Sequence, residues 1–177
     1  MFRVSALPEN KVDEMRQFFV KNCHPKYDIL FEIGLETGLR ISDILSLNVS
    51  FFKKTMRITE KKTKKVRKIV FSTRLFKKTQ KHISSCRLSA GDYIIFSSSG
   101  HKNKPLSRVQ AFKTFKRAAA NCGLDNVSPH SLRKSFAVRH FKKNRDLESL
   151  QKILNHKHVT TTILYVFDTK DFAKVVF

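Results

Sequence analysis

Residues 128–140, SPHSLRKSFAVRH, carry the reading that decides the fold. Ser128 followed by Pro129 is a helix start: a serine side chain accepts from the first free backbone N–H groups, and the fixed φ of proline suits the first helical position. On the helix that follows, His130 and Arg133 stand three residues apart and therefore share a face. Together they make a phosphate-binding pair, because Arg offers a planar fork of donors and His a titratable proton. The pair alone is a weak signal. HxxR is frequent by chance, and a surface pair on a basic protein is the bland alternative.

The rest of the chain makes a phosphate partner plausible on charge. Among 177 residues, Lys and Arg number 36 and Asp and Glu 14, for a net charge of +22. The basic residues recur along the whole length, so the folded domain itself carries a positive face. Double-stranded DNA is the expected partner, since each neutralised phosphate releases a condensed counterion. The competing readings are a solvated basic surface and an anionic membrane. No uncharged apolar run approaches the ~18 residues of a membrane span, and MFRVSALPENKVDEM at the N-terminus has no apolar signal core. Cys23, Cys86 and Cys122 are odd in number with no CxxC spacing, which fits reduced thiols rather than a disulfide framework. A cytoplasmic location, in a bacterium, an archaeon or the host of a virus, is therefore expected. His156 and His158 lack a second pair of metal ligands, and no glycine loop cradles phosphates, so neither a metal nor any other cofactor is expected.

A chain of this length buries roughly 70% of its unfolded surface and reads as one domain, residues 1–177. The sixteen Phe, with no Trp, supply core material. Asn10 is read as the cap of a first helix, VDEMRQFFV. Pro25 opens a second, KYDILFEIGLETG, and Gly38 suits the left-handed residue that ends it. A short helix, ISDILSL, follows and puts Arg40 at its start. Residues 55–71, TMRITEKKTKKVRKIVF, read as a β-hairpin with a lysine-loaded turn, and YIIF within 93–97 as a third strand. Further helices are expected over 73–85, after Ser107 with Val109, Phe112, Phe115 and Ala119 inward, after Ser128, after Asp146, and over 160–165. The class is α+β, mainly helical, with a small antiparallel sheet.

Four more features join His130 and Arg133, each with an ordinary explanation when taken singly. Arg40 in TGLRISDILSL could simply cap or snorkel. The lysines of EKKTKK could be a solvated turn. His156 in LNHKH could be a structural helix-end residue. Tyr165 in TTTILY could be a core aromatic. In this order along the chain they resemble the catalytic domain of the tyrosine recombinase (phage integrase) family, over roughly residues 5–168.

That resemblance implies the integrase catalytic fold and a site-specific DNA recombinase performing integration, excision or inversion. It also implies the roles. Tyr165 is the nucleophile that forms a 3′-phosphotyrosyl link, and Arg40 and Arg133 hold the phosphate oxygens. A hairpin lysine protonates the leaving 5′-oxygen; counting back from the second strand favours Lys62, with Lys61 the near alternative and Lys64 a distant one. His130 moves the tyrosine proton, and His156 donates to the phosphate. Lys61, Lys64, Lys65 and Lys134 are expected on the DNA-binding side. A type IB topoisomerase-like activity and a non-catalytic DNA-binding regulator are the alternatives. Lys134 and Ser135 stand where relatives commonly carry His and Thr, and Asn155 where Gly is frequent. Relatives also carry a separate N-terminal DNA-binding domain; the chain reads as a natural minimal form without one, with a fragment of a longer protein as the alternative. It would then depend on a homo-oligomer, a tetramer in synapsis, or on an accessory protein. The apolar tail, 166–177, is expected to dock on a neighbouring subunit or back on its own domain. The three threonines, 160–162, are expected to support Tyr165.

Overall fold

A computed structural model describes residues 5–167. The described residues form eight α-helices and one two-stranded antiparallel sheet: α1 Glu9–Asn22, α2 Pro25–Thr37, α3 Ile41–Ile44, β1 Thr55–Thr59, β2 Val66–Val70, α4 Thr73–Ser85, α5 Arg108–Asn121, α6 Pro129–Asn144, α7 Leu147–Ile153 and α8 Val159–Val166. A single 3-10 turn, Val49–Phe51, follows α3. The expected class and the hairpin are both present.

The second helix is the spine of the core. Ile29, Leu30, Phe31 and Ile33 are almost wholly buried, and α2 packs on α1, α4 and α6. Apolar residues around its circumference suit a helix enclosed on several sides. Phe31 meets Phe19 of α1, and Phe19 meets Phe115 of α5, both at 5.1 Å between ring centroids. The α2–α6 crossing is close: a Cβ placed on Gly34 would lie 2.4 Å from Leu132 Cδ1. The helix ends at Gly38 with φ 61°, in the left-handed region, where the Phe136 ring also lies too near for a side chain. This tight end fixes where Arg40 emerges.

On α6 both signals at the start operate. Ser128 Oγ accepts from the backbone of His130, Ser131 Oγ accepts from the Ser128 backbone N–H, and Pro129 occupies the first turn. In the hairpin, Met56 faces Ile69 across the pair and both are buried. The opposite face and the turn lie open.

Four expectations need correction. YIIF is no third strand. Ile94 and Ile95 are fully buried, but the segment makes single bridges only, Asn48 with Tyr93 and Phe96 with Pro105. Its apolar run answers to core burial, not to a ladder. On α5 the inward stripe is Ala111, Phe115, Ala118 and Ala119, while Val109 and Phe112 are 65% and 44% exposed. Small alanines beside Phe115 let the helix approach the core closely, and Val109 and Phe112 point away. Third, α3 stops at Ile44, because Leu47 turns back to bond the Ile44 carbonyl. Lastly, α1 starts at Glu9 after Pro8, so Asn10 is inside the helix instead of capping it.

Candidate active site

Arg40, His130, Arg133, His156 and Tyr165 converge on one region, though they are spread from residue 40 to residue 165. Arg40 stands at the N-cap of α3, just after the glycine that ends α2. Its Nη1 donates to Glu60 Oε2 at the end of β1. Arg133 is almost wholly buried, at 1% exposure. It donates to the carbonyl of Gly38 at 2.8 Å and of Leu154 at 2.5 Å. A buried guanidinium needs such partners. Here they join the end of α2 to the end of α7, and so set the segment that leads to His156.

His156 follows Asn155, which has φ 49°. The residue read as standing in for glycine does adopt the left-handed conformation, which Asn tolerates. His156 Nδ1 lies 3.0 Å from Thr162 Oγ1. Thr162 is fully buried, whereas Thr160 and Thr161 are exposed. The threonine run therefore supports His156 through one member, where support for Tyr165 was expected.

Tyr165 is half-buried on α8 and hydrogen-bonded through its hydroxyl to His130 Nε2. Its ring meets His156 edge to face, 4.9 Å between centroids. Burial pushes the Tyr165 phenol up; Arg133 and Arg40 pull it down without overcoming that. His130 is lowered first by the atoms crowding it, then by Arg133, Arg40 and Lys62. His156 is pushed down to about 4 by burial and then by the same two arginines. At neutral pH the phenol thus keeps its proton and both imidazoles are neutral. In the tautomer that leaves Nε2 without hydrogen, a neutral His130 bonded to a protonated Tyr165 is placed to take the phenol proton.

The open side of the site is a cleft of about 700 Å³ whose walls include Arg40, Lys61, Lys62, Arg108 and His130. Lys61, Lys62, Lys64 and Lys65 are all exposed on the hairpin turn. Lys61 and Lys62 both reach the cleft, and Lys62 is the one whose charge His130 senses. Lys64 takes the left-handed position of the turn, φ 57°. Lys134 differs: it is 9% exposed, far less open than the turn lysines. Its neighbour Ser135 is buried and accepts from the Leu7 backbone N–H at 2.8 Å.

Two carboxylates were not singled out from the sequence. Glu60 is completely buried beneath the turn. Burial would raise its pKa, but the Asn155 amide and Thr63 hydroxyl beside it, with the charges of Arg40 and Arg133, hold it below the ordinary range. Asp43, also buried, accepts from the Lys61 backbone N–H at 3.0 Å. The one available signal was an acid beside four lysines in EKKTKK. Among the described residues, no cluster of three or more His, Cys, Asp or Glu could hold a metal ion, and no helix is long and apolar enough to cross a membrane. All three cysteines are free.

The sequence profile of the phage integrase family matches residues 5–171. A probable integrase/recombinase of Bacillus subtilis, YoeC, is 33% identical over 169 residues, covering 94% of this chain and 91% of that protein. The tyrosine recombinase XerD of Corynebacterium glutamicum is 33% identical over 154 residues, 83% of this chain but 50% of that protein. Among solved structures, XerH recombinase bound to a palindromic difH substrate in a post-cleavage complex superposes with a TM-score of 0.80 at 21% identity, over 97% of this chain and 51% of that one. XerA recombinase gives 0.78 at 17% identity, over 97% and 62%. The chain thus spans nearly all of YoeC and about half of XerD.

Proposed function

The chain belongs to the phage integrase family, and on that premise we propose that it is a site-specific DNA recombinase that cuts and rejoins strands through a 3′-phosphotyrosine link on Tyr165. The observation that carries this reading is the hydrogen bond between the Tyr165 hydroxyl and a neutral His130, close to two arginines.

The phenol oxygen attacks the scissile phosphorus as its proton passes to His130 Nε2. The bond from phosphorus to the 5′-oxygen breaks, and Lys62 protonates that oxygen as it leaves. Arg40 and Arg133 stabilise the charge that grows on the non-bridging oxygens. Bonding of Nδ1 to Thr162 suits His156 to carry its hydrogen on Nε2, from which it donates to the same phosphate. Attack by another 5′-hydroxyl on the phosphotyrosine reverses the step with no outside energy source. Exposed Lys61, Lys64 and Lys65 grip the flanking backbone. The whole chain acts as one catalytic domain on double-stranded DNA in the cytoplasm, as a homo-oligomer of four protomers in synapsis or with an accessory DNA-binding protein. Of the tail 166–177, Val166 and Phe167 pack on residues of this chain, Phe167 against Phe141; residues 168–177, where docking on a neighbouring subunit is expected, lie outside the described residues.

A covalent capture assay tests this. Nicked duplexes with randomised cores are incubated with the protein in EDTA, and protein-linked DNA is recovered and sequenced. Wild type yields an adduct with a defined sequence; Tyr165→Phe binds the same duplex and links to nothing. Adducts on arbitrary sequence would instead point to a topoisomerase-like nicking and closing activity. Absence of any adduct would leave a DNA-binding regulator.

A further inference from the structure

We propose that Glu60 is a positioning residue that fixes Arg40 and the Lys62 turn relative to one another. The proposal deepens the strand-transfer reading and rests on it. Glu60 is at 0% exposure, and its Oε2 accepts from both Arg40 Nη1 and Thr63 Oγ1, the latter at 2.9 Å. Its backbone closes the same turn: Glu60 N–H donates to the Lys65 carbonyl at 3.0 Å, and its own carbonyl accepts from Lys64 N–H at 2.9 Å. One residue therefore clasps the arginine with its side chain and the lysine turn with its main chain.

The turn needs such a clasp. Its four lysines are exposed and repel each other, and a lysine stem spends rotamer entropy to hold one place. Asp43 adds a second tie, through the Lys61 backbone, to the start of α3 beside Arg40. Glu60 uses a single Arg40 nitrogen, so the remaining guanidinium donors are left for phosphate. Its Oε1 lies 3.9 Å from Arg67 Nη1, so Oε2 is the oxygen that joins Arg40 to Thr63.

The two things Glu60 positions act on different atoms. Lys62 serves the leaving oxygen, and Arg40 serves the non-bridging oxygens. A sulfur in the 5′-bridging position leaves as a thiolate and needs little protonation, which separates them. The duplex that wild type captures from the randomised pool is resynthesised with oxygen or sulfur at that position, and the single-turnover rate of covalent linkage is measured. Glu60→Gln should slow linkage about 10²-fold on oxygen, and sulfur should restore at least tenfold of that. Thr63→Val, which leaves the buried ion pair in place, should slow only the oxygen substrate. Arg40→Lys should be slow on both. Wild-type rates on oxygen for both variants, or equal losses on the two substrates, would overturn the proposal. If Glu60→Gln does not fold, as judged by its melting curve, Thr63→Val decides alone. A wild type that forms no Tyr165-dependent adduct would sink the strand-transfer reading and this inference with it, and that result appears before any Glu60 variant is assayed.

Discussion

At the scale of single residues, the site is governed by cations crowded around two imidazoles and a phenol. His156 titrates near 6.5 in an unfolded chain and at about 4 in the fold. Between those values the unfolded state binds the proton and the native state does not, so stability is lost as pH falls through 6.5 towards 4. His130 and His82 are lowered too and push in the same direction. Melts at matched ionic strength should show the midpoint falling across this window, with His156→Gln flattening part of the fall. A bound phosphate offsets Arg40 and Arg133 but leaves the burial that is the larger cause, so it raises His156 only part of the way back. DNA binding between about pH 4 and 6 should therefore take up protons, which calorimetry in buffers of different ionisation enthalpy will detect; His156→Gln should reduce the uptake. Arg40, His130, Arg133, His156 and Tyr165 could be picked out in the sequence only as a set, by their order along the chain, because each has an ordinary explanation when taken singly. Glu60 was hidden because a lone acid among lysines reads as surface charge, and only the folded hairpin reveals that it points inward.

At the scale of elements, caps and turn residues were better guides than apolar runs, Asn10 excepted. Ser107, Ser128 and Asp146, each read as a cap, accept from the first turn of a helix, and Gly38 ends α2. Apolar runs were less reliable. The buried tetrapeptide YIIF and the bulky Val109 and Phe112 misled for one reason: apolar character does not say which neighbour will cover it. The close α2–α6 crossing yields a direct prediction. Gly34→Ala puts a methyl into Leu132 and should destabilise the fold by about 1–3 kcal/mol, read as a lower denaturant midpoint with an unchanged slope. Because Arg40 follows directly on the turn that ends α2 and α6 carries Arg133, the rate of covalent linkage should fall further than the population of folded protein does.

At the scale of the whole molecule, the net charge of +22 makes binding a salt-dependent event. Each phosphate neutralised contributes about −0.9 to the slope of log affinity against log salt on duplex DNA. Replacing Lys61, Lys64 and Lys65 together with Ala should make that slope shallower by about 2 to 3 and weaken all sequences alike, measured by anisotropy titrations at several salt concentrations. Charge pointed to the partner class at once, but it could not indicate which lysines are open to solvent: Lys134 is buried while the turn lysines are exposed. The site's order along the chain has a further consequence. Arg40 and the hairpin are made early, Arg133 later, and Tyr165 last among the site residues. A chain still emerging from the ribosome, or one whose α8 has come loose, can hold phosphates with its cations yet has no oxygen in place to attack them. On the strand-transfer reading, breakage of DNA waits until α8 is in place, a safeguard that follows from the order of these residues along the chain.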